Sequence, residues 1–118
     1  MNQYEVSLYL VDELPEIKDN IKTLSPSSLI KSIQCFTEFT KSKLLCHDLT
    51  IVRKCFITAE NMYNKGDQTV KDIIENIFIY SFSTLLNLSN KDENAKVHGL
   101  VPVTLYTAYI NQVLKSGI

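Results

Sequence analysis

Apolar residues recur along this chain at spacings of three and four, the rhythm of helices that bury one face. Val6, Tyr9, Leu10 and Leu14 predict a first helix over residues 4–13. Pro15 then fits the first turn of a continuation, EIKDNIKTL, as one kinked helix or two short ones. In SPSS, Ser25 reads as an N-cap and Pro26 as the first position of a second helix running to about Leu44. Its buried stripe is Leu29, Ile33, Phe36, Thr40 and Leu44. Asp48 caps a third helix with the stripe Leu49, Val52, Phe56, Ala59 and Tyr63, closed by Lys65-Gly66. Asp67 caps a fourth at once, so helices three and four are expected to form an antiparallel hairpin. NKDENAK, residues 90–96, reads as the longest loop. Leu100-Val101-Pro102 opens a last helix whose core stripe is Leu105, Tyr106, Tyr109, Ile110 and Val113, closed by Ser116-Gly117.

Strand alternation is sustained nowhere, and three Gly and three Pro are few breakers for 118 residues. The expected fold is all-α: one domain over residues 1–118, a bundle of five to six helices with antiparallel helical hairpins.

The fourth helix is the most apolar. On a wheel of 100° per residue, Val70, Ile73, Ile74, Ile77, Phe78, Phe82, Leu85 and Leu88 spread over a broad sector. Ile79 and Leu86 widen it on one side, and Tyr80 lies near the other edge. Asp72, Asn76, Ser83 and Asn87 make a narrow polar strip. Residues 67–89 are therefore expected to be the central, most buried helix.

Glu75 falls inside the apolar arc, between Phe82 and Leu86. A carboxylate there must be paired, hydrogen-bonded or neutralised. Arg53, the one arginine of the chain, is a plausible partner across the hairpin, and tyrosine hydroxyls are others. Ser81 can bond the carbonyl one turn back. A general acid or base would need companions, and there is no second inward carboxylate, no E-x-x-H and no H-x-x-x-H. Glu75 thus reads as a structural, helix-fixing group.

Net charge is −1, which gives no general pull on nucleic acid or anionic lipid. The charge is unevenly spread, however. Residues 1–25 hold five acids against two lysines, whereas 26–66 hold six bases against three acids. Lys41, Lys43, Arg53 and Lys54 form a candidate basic surface for an acidic partner, weighed against an ordinary solvated helix face.

Cys35, Cys46 and Cys55 are an odd number without C-x-x-C spacing, so free thiols in a reducing, cytoplasmic setting are expected. The N-terminus does not read as a secretory signal, and no apolar run reaches the roughly 20 residues of a membrane span. Cys46-His47-Asp48 is contiguous, and three consecutive residues at a helix start point in different directions, so no triad is expected. Nor is there a Gly-rich phosphate loop, a G-x-S-x-G or an EF-hand loop, and no cofactor or metal is called for.

Cys55-Phe56, Ala59, Tyr63, Gly66, Val70-Lys71, Ile74-Glu75-Asn76-Ile77-Phe78, Ser81 and Leu100-x-Pro102-x-x-Leu105-x-x-Tyr109 carry a resemblance. With the opening helix and Pro15-Glu16, they make the chain similar to a family of small uncharacterised all-helical bacterial proteins. The resemblance spans nearly the whole chain. It implies helix packing and supplies no catalytic site.

The expectation is a non-catalytic protein–protein interaction module with no nucleic-acid or membrane partner, compatible with a homodimer. Small helical bacterial proteins include toxin-neutralising immunity proteins, an analogy of size and class. The alternative is a helical bundle that binds a small apolar ligand between its helices, which requires a cavity. An enzyme would have only Glu75 and Arg53 to work with.

Overall fold

A computed structural model of the chain describes residues 1–18, 21, 29–87 and 91–115. Among the described residues there is no strand, and seven helices follow one another. They are α1 (Val6–Glu13), α2 (Leu29–Leu45), α3 (Leu49–Lys65), α4 (Gln68–Ile73), α5 (Phe82–Asn87), α6 (Lys91–Leu100) and α7 (Val103–Lys115). A 3-10 turn, Pro15–Ile17, follows α1, and a π-helical segment, Ile74–Ile79, links α4 to α5. The expected cap at Ser25-Pro26, the end of the EIKDNIKTL helix, Leu88 and the close at Ser116-Gly117 lie outside the described residues.

The stripes read from α1, α2 and α3 face the core. Val6, Leu10 and Leu14 are buried on the first, and all five predicted positions are buried on α2. Val52, Phe56 and Ala59 are buried on α3, with Leu49 and Tyr63 half-buried at its ends. Phe36 and Phe78 stack with centroids 5.0 Å apart, and Phe56 and Phe82 meet Phe78 edge-on at 6.3 and 5.4 Å. These rings fill the space between α2, α3 and the long helix with the offset and edge-on geometries that aromatic pairs prefer.

The connections have local causes. His47 adopts a left-handed conformation, φ 59°, after α2. Its N–H bonds the Leu44 carbonyl and that of Asp48 bonds the Lys43 carbonyl, both at 3.0 Å, which is a Schellman close at a position usually held by glycine. Asp48 then accepts from the Ile51 N–H and starts α3. At the next junction Gly66 has an extended backbone. Its need for glycine is spatial, since a Cβ would sit 2.6 Å from both the Met62 carbonyl oxygen and Val70 Cγ1. Asp67 accepts from the Val70 N–H at 3.0 Å and starts α4, while its own N–H bonds the Met1 carbonyl at 2.8 Å.

Three expectations are corrected. NKDENAK is not a loop: residues from Lys91 belong to α6. Asp92 and Glu93 lie in its first turn, where negative charge favours a helix N-terminus, and Val97 is fully buried. A helix anchored by so little apolar surface leaves no stripe to read.

The long helix does not stand alone at the centre. It buries Val70, Ile74, Phe78, Ile79, Phe82, Leu85 and Leu86, but α2 encloses a comparable set that includes Ser32, Thr37 and Thr40. Thr37 and Thr40 each donate to the carbonyl four residues back, at 2.8 and 2.9 Å. A polar residue that satisfies itself in this way, as Thr37 does beside the predicted stripe, can be buried without an apolar pattern to announce it.

The π segment revises the wheel itself. At 100° per residue the seven buried positions of the long helix smear over about 180°. Rings closed from i to i+5 hold one residue more than α-helical ones, so positions four apart drift far less. Val70, Ile74, Phe78 and Phe82, which would rotate by roughly 120° in all, are returned to one line. Tyr80, expected at the edge of the apolar sector, is exposed.

The last helix is the third correction. Its predicted core stripe is only partly buried: Leu105 is fully enclosed, Tyr109 and Val113 are half-buried, and Tyr106 and Ile110 are 38% and 36% exposed.

Candidate functional site

Glu75 lies within the π segment and is half-buried. Its carboxylate accepts a hydrogen bond from the Tyr63 hydroxyl at the end of α3. The structure therefore brings Glu75 to one of the tyrosines and not to Arg53. Burial pushes the Tyr63 hydroxyl up to about 12, and its bond to Glu75 and the charges of Glu75 and Asp72 push the same way. Tyr63 is thus a protonated donor across the neutral range. The Glu75 carbonyl accepts the Tyr80 N–H at 3.1 Å, an i to i+5 bond, and the Gln112 side-chain amide from α7 at 2.7 Å. One residue thereby ties α3, the π segment and α7 together. Ser81 donates to the Ile77 carbonyl at 2.7 Å, as its position suggested.

Of the four residues of the candidate basic surface, two are engaged locally. Lys41 pairs with Glu38 at 3.3 Å, and the Lys43 ammonium lies 5.4 Å from the Phe39 ring centre. Arg53 and Lys54 are exposed on α3 and line an open groove of about 430 Å³. Leu49, Ile57 and Thr58 line it from the same helix, and Glu13 enters from α1. Among the described residues neither Arg53 nor Lys54 forms an ion pair.

Lys43, Lys54 and Glu16 all act electrostatically on the buried Cys55 thiol. Burial dominates that thiol and lifts it to about 11. Cys35, Cys46 and Cys55 are all free, with Cys46 exposed. His47 meets Glu93 of α6 through Nδ1, and Asp48 is occupied as the cap of α3, so Cys46-His47-Asp48 points three ways.

Sequence reasoning missed two parts of the groove. Ile57 is 42% exposed, an apolar residue off the α3 stripe and one turn beyond Arg53, and that placement was a readable signal. Glu13 carried none, because only the packing of α1 on α3 brings it there. Among the described residues no cluster of His, Cys, Asp and Glu is arranged to hold a metal, and no helix is long and apolar enough to cross a membrane.

No curated protein and no solved structure matches the chain. A family model described as a domain of unknown function, DUF7674, matches residues 7–115. That span takes in all of α2 to α7, the Tyr63–Glu75 tie and the groove, and the chain belongs to the DUF7674 family.

Proposed function

We propose that this protein is a non-catalytic protein-interaction module of the cytoplasm, immunity-like in size and class, in which antiparallel helical hairpins display a binding groove. The observation that carries the reading is the groove itself: apolar walls from Leu49 and Ile57 beside Arg53 and Lys54, two cations without ion-pair partners among the described residues. Apolar surface beside unpaired positive charge suits a partner segment that pairs an acidic side chain with an apolar one. The one acid in the wall, Glu13, would orient such a segment by repelling its acidic end. Three free thiols fit a reducing compartment.

Glu75 takes no part in the chemistry of this reading. Its tie to Tyr63 supports it as a residue that fixes α3 against the π segment.

The first candidate partner is the product of the adjacent gene. Titration calorimetry should give an affinity that weakens with salt and falls at least tenfold when Arg53 and Lys54 are both changed to Glu. Binding that ignores both the double substitution and the salt would move the partner to another surface.

A further inference from the structure

From Val97 to Leu114 the chain contains no Asp, Glu, Lys or Arg, the longest such stretch it has. The next longest, residues 76–90, takes in most of the π segment and all of α5 and includes the buried Phe78, Ile79, Phe82, Leu85 and Leu86. Enclosure is much less complete in 97–114, where only Val97 and Leu105 are fully buried and Leu100, Val101, Ala108 and Tyr109 are partly buried against the core. On the face of α7 opposite Leu105, Val103, Thr107, Ile110 and Leu114 fall in one line, flanked by Tyr106. Val103 is 81% exposed and Leu114 71%.

We infer that this outer face of α7 is the contact surface for a second copy of the chain, paired antiparallel about a two-fold axis. Three features select a second copy over an unrelated partner. The spacing of Val103, Thr107, Ile110 and Leu114 runs four, three, four. It therefore reads the same in both directions, and reversal sets Val103 against Leu114 of the second copy and Thr107 against its Ile110. A two-fold pair therefore sets position against position along the stripe, each contact occurring twice.

The face also carries its own hole. An open pocket of about 370 Å³ adjoins Val103, lined by His98, Val101 and Tyr106 among others, at the end of the stripe that Leu114 of the second copy would reach. Each copy thus offers one knob and one hole. Finally, an uncharged face has no like charges to bring together when it meets itself, and it gives a charged partner nothing to pair with. The groove of Arg53 and Lys54 is a different surface, so this inference stands apart from the proposed function.

The strength of the contact follows from its area. At their exposures the five outer side chains offer on the order of 400–500 Å² per copy, so roughly 800–1,000 Å² in a pair, at the lower limit for a specific interface. Association should be weak, reversible and dependent on concentration.

Sedimentation velocity from micromolar to near-millimolar protein tests it. The expected result is an average mass that climbs from the monomer toward the dimer. Leu114→Asp and Val103→Asp should each hold it at the monomer. Both residues are exposed, so unchanged far-UV circular dichroism should accompany the loss, and Arg53→Glu should leave the mass curve as it is. A monomer at every concentration would overturn the inference. So would a dimer that survives both substitutions, because its interface would lie elsewhere.

Discussion

Helices α2 and α7 carry the same kind of apolar stripe and meet different fates. On α2 all five expected positions are buried, and Ser32, Thr37 and Phe39 are buried beside them. On α7 only Leu105 is fully enclosed, although the periodicity is as clear. The difference lies in the neighbours. α2 packs against α1, α3, α4 and the π segment, whereas α7 meets chiefly α3 and the π segment. Periodicity shows that a helix has an apolar face. It does not say how much surrounding structure is available to cover it, because that depends on the order in which helices stack.

Four measurements sharpen or break this comparison, in falling order of effect. Phe36→Ala on α2 removes a ring stacked on Phe78 in the closed centre and should cost about 3–5 kcal/mol in chemical denaturation. Glu75→Ala, which strands the Tyr63 hydroxyl in a half-buried place, should cost about 1–3 kcal/mol, and Glu75→Gln less. Adding Arg53→Met should recover none of it, since Arg53 is not the partner. Recovery would mean that the two residues interact after all.

The third measurement is alkaline. The Tyr63 hydroxyl in the folded state is raised to about 12, above its ordinary value of 10.0. Its contribution is therefore complete below pH 10 and lost as pH rises from 10 through 12. A melting curve followed over that range should fall, and the fall should be shallower in Tyr63→Phe. Equal slopes would remove Tyr63 from the account.

The smallest effect belongs to α7. In dilute solution Leu114→Ala should change stability by no more than about 0.5 kcal/mol, as surface substitutions do. A loss approaching that of Phe36→Ala would show that this face is covered within a single chain, and the contrast between the two helices would fail.

Much of this fold was legible because three helices announce themselves with apolar stripes and visible ends. Asp48 and Lys65-Gly66 mark the two ends of α3, and Asp67 the start of α4, by capping chemistry that acts within a few residues. What was hidden depends on other parts of the chain. α6 forms around one buried valine and a favourable first turn, which a periodicity search passes over. Glu75 was recognised as needing a partner, but the choice between Arg53 and a tyrosine rests on how α3 turns against the π segment. In the groove, Arg53 and Lys54 could be named from charge alone, whereas Glu13 belongs to a helix some forty residues earlier.

The π segment also bears on how this chain tolerates changes in its length. If one residue were removed at Asn76, which is exposed, the buried positions of the long helix would fall at intervals of four, three, one, three, three and one. On a regular α-helix that set closes into an arc of about 120°, narrower than the 180° of the intact sequence. Residues 68–87 are therefore an ordinary amphipathic helix carrying one supernumerary residue, absorbed as a wider turn. A shortened chain would keep its hydrophobic face and lose the i to i+5 bond from the Tyr80 N–H to the Glu75 carbonyl. A single deletion inside α2 has no wide turn to close, and would swing every residue beyond it about 100° away from its neighbours.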